Sequence, residues 1–273
     1  MIQEVAKVSL VLGSGGARGL VHIGVIQELE KQGYQIDEVV GSSIGALVGG
    51  MYASGHLNEF EVWVREISKR EIYNFMDFTW QTSGVMKGVR VFEALKSLIP
   101  DMNLEDMPIP FKAIATDLHE EADVVFDRGS FYEAVRSSVA IPGVFTAVTK
   151  DSAVLVDGGV LNPLPLSHVD RSKGNLVVAV NLESKHSLTP RSHLVDPKKG
   201  PNSITILQEA YNAMRTQLAQ LSIDLYKPDI LINIPRDLAG LWDYDKADFL
   251  IKKGVELTEE TLLTYKERLR NPA

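Results

Sequence analysis

A serine flanked by glycines stands where an apolar stretch passes into a stretch of small residues. Gly41, Ser43 and Gly45 form the pattern Gly-x-Ser-x-Gly, in which a strand turns sharply into a helix and displays a serine hydroxyl at the helix N-terminus. Side chains at Gly41 and Gly45 would crowd this turn, and the helix end favours developing negative charge. The pattern predicts a nucleophilic serine, with an ordinary glycine-rich turn as the alternative.

A second glycine cluster, residues 13–19, also links a predicted strand to a predicted helix. Its backbone N–H groups are suited to cradle an anion. A dinucleotide pyrophosphate is disfavoured, because the Gly-x-Gly-x-x-Gly fingerprint requires glycine where Arg18 stands and the next strand ends without a ribose-binding acid. A Walker loop is excluded because no Gly-Lys-Ser or Gly-Lys-Thr follows. A tetrahedral oxyanion beside the serine elbow remains the better interpretation.

A serine hydroxyl needs a base within hydrogen-bond reach to become a nucleophile. Asp157 directly follows an apolar run, residues 154–156, and is placed at the carboxyl end of a predicted strand, where open α/β sheets gather catalytic residues. A structural Asp-Gly turn is the alternative. A histidine is the more usual base, so His168, His186 and His193 stay open as members of a triad with Asp157 or another acid.

Apolar, β-branched runs alternate with helical patterns along the chain, which predicts an α/β fold with a mainly parallel sheet. Residues 46–53, 57–69 and 247–255 are expected to be helical, whereas 73–88 and 190–203 are expected to be irregular. The aromatic residues of the first irregular segment indicate either a lid over the site or ordinary core packing. The predicted strands are residues 8–12, 39–40, 111–115, 124–126, 154–156, 176–180 and 230–234.

The overall composition narrows the class of protein. With 273 residues and 45% hydrophobic content, one domain spanning residues 1–273 is expected. A net charge of −8 disfavours nucleic acid and anionic membranes as partners. The absence of cysteine excludes disulfides, thiolate nucleophiles and cysteine-bound metals, and suits a reducing compartment. No leader or membrane span is recognised, so we expect a cytoplasmic protein with any membrane contact peripheral, transient and apolar.

Three blocks together resemble the bacterial patatin-like phospholipases, which are lipid acyl hydrolases with a Ser-Asp dyad and no catalytic histidine. Residues 15–19 are similar to the oxyanion loop of that family, residues 41–45 to its elbow, and residues 157–159 to its second catalytic block. Residues 115–118, 138–145 and 162–165 are also similar. One departure is Ser14, which stands where much of the family has the first of three glycines.

The resemblance implies a three-layer α/β/α fold around the mainly parallel sheet. It implies a nucleophile at Ser43, a base at Asp157, and no metal or cofactor. The oxyanion hole would be formed by backbone N–H groups of Gly15, Gly16 and Ala17. Supporting roles would fall to Arg18, Gly41, Gly45 and Gly158. The expected substrate is a lipid or other acyl ester, and a non-catalytic acyl-binding module is a further alternative.

Overall fold

Eight strands form one mixed sheet, with helices packed against both faces. The computed structural model describes residues 6–75, 86–184 and 203–271. The strands are β1 (Lys7–Leu12), β2 (Gln35–Ser42), β3 (Phe111–Asp117), β4 (Ala122–Phe126), β5 (Val148–Lys150), β6 (Ala153–Asp157), β7 (Leu176–Asn181) and β8 (Ile230–Asn233). The α-helices are α1 (Val21–Lys31), α2 (Ile44–Ala53), α3 (Leu57–Glu66), α4 (Lys69–Phe75), α5 (Val89–Leu98), α6 (Phe131–Ser138), α7 (Ser203–Tyr226) and α8 (Ala247–Arg270).

The sheet has a parallel part and an antiparallel part. The order β3-β2-β1-β7-β8 is parallel throughout, and β4, β5 and β6 add antiparallel pairs on the side of β3. The expected mainly parallel sheet is therefore confirmed. The path β1–α1–β2–α2 places the carboxyl ends of β1 and β2 next to each other, with Leu12 paired to Gly41.

Both faces of the central strands are buried, as expected for strands that are continuous hydrophobic runs. In β1, Leu10 and Leu12 belong to the larger core, whereas Val11 points to a smaller core on the opposite face. Ala219 of α7 packs in that smaller core. The larger core includes side chains of α1, α2 and α8. Helices thus cover the sheet on both sides and give the three layers that the resemblance implies.

The predicted helix over residues 57–69 is wrong in its extent. It ends at Glu66, where Ile67 turns to extended backbone, and a new helix begins at Lys69. Ser68 and Glu71 form a capping box, since Glu71 N–H donates to Ser68 Oγ and Ser68 N–H donates to Glu71 Oε2. This Ser-x-x-Glu spacing is a helix start signal, and it separates α3 from α4.

The two predicted irregular segments fall largely outside the described residues. Residues 73–75 of the first segment are helical in α4, which corrects the prediction there. Met86, near its other end, forms a parallel bridge with Phe145. Residues 76–85 and 185–202 are not described, so the predicted lid and loop stay predictions. Among the helices described here, none is both long and apolar enough to cross a bilayer.

Candidate active site

Ser43 occupies a strained elbow between β2 and α2. Its φ of 57° lies in the left-handed region, which is unfavourable for a residue with a side chain. A Cβ atom at Gly41 would lie 2.4 Å from the carbonyl oxygen of Gly45, and one at Gly45 would lie 2.1 Å from that of Leu12. Both glycines therefore have the steric reason that the pattern predicts, because Gly41 packs against the first turn of α2 and Gly45 against the end of β1.

Asp157 lies next to the elbow, but the strand arrangement that places it there differs from the expected one. β3 pairs with β2 over residues 111–114 and with β6 over residues 115–117, while β4 takes its other edge over residues 113–117. Since a strand has only two edges, β2 and β6 share one edge of β3 and run toward each other. Their carboxyl ends meet, so Asp157 faces the elbow because β6 is antiparallel, not because it belongs to a parallel set.

The side chains of the two predicted catalytic residues are in contact. Ser43 Oγ donates to Asp157 Oδ2 at 2.5 Å, and both residues are buried. The other carboxylate oxygen, Oδ1, accepts the N–H of Gly159 at 2.7 Å. Gly158 allows this approach, since a Cβ atom there would lie 2.1 Å from the carbonyl oxygen of Ile114. Asp157 is thus oriented by backbone on one side and by the serine on the other.

The carboxyl group of Asp157 has a raised pKa. Burial is the largest cause, because it disfavours the charged form. The positive charge of Arg215 opposes the shift most strongly, followed by the hydrogen bonds from Ser43 and Gly159, and the negative charge of Glu183 adds to it. The environment therefore makes this aspartate a stronger base than an exposed one.

The glycine loop lies beside the elbow and contributes two N–H groups without a partner among the described residues, those of Gly15 and Gly16. Ser14 N–H donates to the carbonyl oxygen of Pro163 at 2.9 Å. Ala17 N–H donates to that of Leu241 at 3.0 Å, which differs from the expected oxyanion role of Ala17. The structure therefore leaves Gly15 and Gly16 as the donors available in the conformation described.

The guanidinium group of Arg18 contacts the glycine loop and residues near it. Its Nε donates to the carbonyl oxygen of Gly15 at 3.3 Å, and its Nη1 donates to that of Arg236 at 2.5 Å. Behind the loop, His22 Nε2 lies 2.9 Å from the carbonyl oxygen of Gly13. Burial lowers the pKa of His22 to about 4, so this imidazole is neutral near pH 7 and acts as a structural donor.

Ser138 is a residue of the site that sequence reasoning did not single out. Its Oγ accepts the N–H of Ser43 at 2.8 Å and donates to the carbonyl oxygen of Ile114 at 2.5 Å. The N–H of Ser43 is therefore occupied, and the hydroxyl of Ser138 fixes the backbone of the nucleophile. Its membership in the family-like segment 138–145 is the signal that could have identified it.

A buried ion pair on the far side of Asp157 was also missed. Arg215 Nη2 lies 2.7 Å from Glu183 Oε1 and donates to Ser14 Oγ at 2.8 Å. The side chains are 12% and 2% exposed. Arg215 comes from α7 and Glu183 follows β7, so no local pattern joins them. The pair connects helix α7 to the glycine loop through the one residue that departs from the family pattern, Ser14.

His168, the one histidine of the three proposed for a triad that the structure describes, pairs with an aspartate other than Asp157. His168 Nε2 lies 2.8 Å from Asp123 Oδ2, and this histidine is about a quarter exposed. His186 and His193 lie outside the described residues, so their part of the alternative stays a prediction. In the part of the chain that is described, no group of three or more His, Asp or Glu residues is placed to hold a metal ion.

Ser43 and Asp157 line a cleft of about 580 Å³. The glycine loop forms one wall, α7 forms another through Tyr211 and Arg215, and residues 236–241 form a third. Both polar and apolar residues line this cleft. It can hold a substrate with both a polar and an apolar portion next to the serine hydroxyl.

Comparisons with known proteins agree with this architecture. Over 181 residues the chain is 40% identical to an uncharacterized NTE family protein of Mycobacterium tuberculosis, which covers 66% of this chain and 50% of the relative. It is 28% identical over 194 residues to lysophospholipase NTE1 of Saccharomyces cerevisiae, covering 68% of this chain and 11% of that protein. The chain thus spans half the length of the mycobacterial relative and a smaller share of the yeast enzyme.

The fold is similar to the crystal structure of VipD from Legionella pneumophila. The TM-score is 0.53 at 14% sequence identity, covering 96% of this chain and 67% of that one. A family model described as patatin-like phospholipase matches residues 10–170. That match covers more than half of the chain and includes the glycine loop, the elbow and Asp157, so the chain belongs to the patatin-like phospholipase family.

Proposed function

We propose that this chain is a serine hydrolase that cleaves fatty-acyl esters of lipids, as a phospholipase A, lysophospholipase or esterase, through an acyl-Ser43 intermediate. The observation that carries the proposal is the buried 2.5 Å hydrogen bond from Ser43 Oγ to Asp157 Oδ2, beside a loop in which Gly15 N–H and Gly16 N–H have no partner among the described residues. The family and the relatives named lysophospholipase favour lipid esters as substrates.

In the first half-reaction, Asp157 accepts the proton of Ser43 while Ser43 Oγ forms a bond to the acyl carbonyl carbon. The electron pair of the carbonyl double bond moves to oxygen and forms a tetrahedral oxyanion. When the intermediate collapses, the bond to the leaving alcohol breaks, and Asp157 returns its proton to the departing oxygen. The products of this half-reaction are a free alcohol and acyl-Ser43.

In the second half-reaction, Asp157 accepts a proton from water as that water attacks the acyl-serine carbonyl. The second tetrahedral intermediate collapses with release of the fatty acid, and Ser43 Oγ regains a proton from Asp157. One carboxylate therefore serves both steps. The raised pKa of Asp157 favours this role, because an aspartate at the ordinary pKa of about 3.9 is a weak base near pH 7.

The oxyanion is stabilised by the backbone N–H groups of Gly15 and Gly16, with Ala17 as a third donor once its bond to Leu241 is broken. Each donor is worth about 3 to 4 kcal/mol of transition-state stabilisation. Gly16 has a φ of 61°, which favours glycine at a position where the N–H must turn toward the site.

Contact with a lipid surface is assigned to the outer face of α7, because the same helix lines the cleft through Tyr211 and Arg215. Leu207, Met214 and Leu221 are 57% to 70% exposed and follow one another at seven-residue spacing. An uncharged apolar stripe suits an electrically neutral membrane. Leu221→Glu is expected to reduce sedimentation with phosphatidylcholine vesicles, with Val62→Glu on α3 as the exposed control, and equal sedimentation of both variants would refute this contact.

The test of the proposed function is the turnover of p-nitrophenyl octanoate. We expect kcat/KM to fall about 10⁴-fold in Ser43→Ala and about 10² to 10⁴-fold in Asp157→Asn, while the control His168→Asn stays at the wild-type value. If Asp157→Asn retains activity and a substitution of His186 or His193 abolishes it, a triad replaces the dyad. If the wild type binds fatty acid and hydrolyses no ester, the acyl-binding module is the correct function.

A further inference from the structure

A second, apolar cavity lies next to the catalytic cleft. It is enclosed by α3, α4 and α5 together with residues 141–145 and 241–244, and its described lining consists of apolar and aromatic side chains. Phe60 and Val64 of α3 and Leu95 of α5 are buried at its wall. No acidic or basic side chain of the described residues lines it, so its chemistry suits a hydrocarbon.

Two residues belong to the linings of both the cavity and the cleft, Ile141 and Leu241. Leu241 lies against the glycine loop, since a Cβ atom at Gly16 would be 2.4 Å from Leu241 Cδ1. Its carbonyl oxygen also accepts the N–H of Ala17. The boundary between the two spaces therefore lies beside the loop that would hold the oxyanion.

The two spaces differ in size as well as in polarity. By the same measure the cleft has about 580 Å³ and the apolar cavity about 120 Å³. The lining of the cleft also carries charged side chains of both signs, namely Arg18, Arg215, Arg236, Asp157, Glu209 and Asp237. The wide cleft suits a polar or charged alcohol portion of a lipid, whereas the apolar lining of the smaller cavity suits a hydrocarbon chain.

We propose that the apolar cavity binds the acyl chain of the substrate, and that Leu241, with Ile141, is the gate through which the chain enters. This inference rests on the proposed function and assigns its acyl specificity. Entry of a chain displaces the side chain of Leu241 from Gly16 and shifts the backbone of Leu241, so that its carbonyl oxygen moves away from Ala17. The same movement frees the N–H of Ala17, so that the oxyanion hole gains its third donor when a long acyl chain is bound.

The gate makes a kinetic prediction about chain length. An ester too short to reach past Leu241 meets two oxyanion donors, whereas a longer one meets three. We therefore expect kcat, and not only KM, to improve from p-nitrophenyl butanoate to p-nitrophenyl dodecanoate in the wild-type protein. Equal kcat values for the two esters, with acyl transfer to Ser43 rate-limiting in single-turnover kinetics, would contradict the gate.

Variants of the cavity wall test the site itself. In Val64→Phe, a larger side chain fills the cavity, and we expect the dodecanoate-to-butanoate ratio of kcat/KM to fall about tenfold or more, since apolar pockets discriminate by factors of about 10 to 200. Val62→Phe, two residues away on the same helix and 56% exposed, is the matched control. Val91→Phe, at a half-buried lining position, repeats the test if the buried variant does not fold.

A variant of the gate residue should change the chain-length preference in the opposite sense to Val64→Phe. Leu241→Ala has a smaller side chain between the cleft and the cavity, so we expect the dodecanoate-to-butanoate ratio of kcat/KM to rise above the wild-type value. Ratios in Val64→Phe, Val91→Phe and Leu241→Ala equal to that of Val62→Phe would overturn the cavity assignment. Failure of the proposed function is distinguished by the wild type, because it would then hydrolyse neither ester.

Discussion

The serine side and the aspartate side of the site are held in place by different physical means. Ser43 is positioned by backbone packing, because Gly41 lets the turn close on the start of α2 and Gly45 lets it approach the end of β1. Asp157 is positioned within a set of buried charges, with Arg215 and Glu183 nearby. Sterics fix the nucleophile, whereas electrostatics sets the proton affinity of its partner.

This difference predicts two kinds of mutational effect. Changes at Gly41 or Gly45 should alter stability and geometry and leave in place the buried charges that act on the pKa of Asp157. Changes among the buried charges should move the pH dependence of the rate as well. The two classes of variant can therefore be separated by measuring both an unfolding curve and a pH–rate profile.

The largest effect is expected for Gly45→Ala. Its new methyl group would lie 2.1 Å from the carbonyl oxygen of Leu12, and backbone on both sides prevents relaxation. We expect the free energy of unfolding to fall by more than about 4 kcal/mol, a range that indicates severe overpacking. Gly240→Ala, where the nearest atom is 3.6 Å away, is the control in urea unfolding. Equal stability of the two variants would refute the steric interpretation.

A smaller loss of stability, with a change in pH dependence, is expected for Arg215→Met. Removing Arg215 leaves the buried carboxylate of Glu183 with only the longer contact of 3.7 Å to Arg18 Nη2, and breaking a buried ion pair costs about 3 kcal/mol. It also removes the positive charge that favours ionised Asp157. The pKa of Asp157 then rises further, and the acidic limb of kcat/KM moves to higher pH. If the acidic limb of kcat/KM stays at its wild-type pH, the charge of Arg215 does not influence the pKa of Asp157.

The serine side of the site could be predicted from the sequence more fully than the aspartate side. The glycine spacing within residues 41–45 is enough to indicate a tight turn, so the strand, turn and helix around Ser43 were predictable. The expected position of Asp157 at the end of a strand is correct, yet the antiparallel direction of β6 depends on pairing with β3. Arg215 and Glu183 come together only in the tertiary fold, and an arginine on a helix is usually solvated.

The family resemblance extended those predictions but did not reach every detail. It covered Ser138 without assigning it a role, and it placed Ala17 among the oxyanion donors, whereas Leu241 accepts that N–H in the structure. A contact between residues 224 positions apart has no local pattern. The expectations of one domain across residues 1–273 and of a cytoplasmic location stay predictions.

Glu183→Gln is expected to shift the pH profile of kcat/KM in the direction opposite to that of Arg215→Met. Because the carboxylate of Glu183 raises the pKa of Asp157, its neutralisation lowers that pKa and moves the acidic limb of kcat/KM to lower pH. In the wild type the limb should lie above the ordinary aspartate value of about 3.9. Arg18 keeps its charge in this variant. Tyr211 and Tyr244, with pKa values raised to about 12, stay neutral. Shifts of the same sign in Arg215→Met and Glu183→Gln would rule out electrostatic control.

The smallest effect is expected for Ser14→Gly, which restores the family glycine. The variant loses the hydrogen bond from Arg215 Nη2 to Ser14 Oγ, which is worth about 1 to 2 kcal/mol. The charges near Asp157 are unchanged, so the pH profile should keep its position while the unfolding midpoint falls slightly. A pH shift as large as that of Arg215→Met would show that the serine hydroxyl transmits the effect.

The most direct measurement is the intact mass of the protein after treatment with a fluorophosphonate, which labels an activated serine. We expect one adduct on the wild-type protein, none on Ser43→Ala, and much slower labelling of Asp157→Asn, since Asp157 accepts the proton of Ser43. Labelling of Ser43→Ala at the wild-type rate, or a wild-type protein that takes up no label, would contradict the assignment of Ser43 and Asp157 as a catalytic dyad.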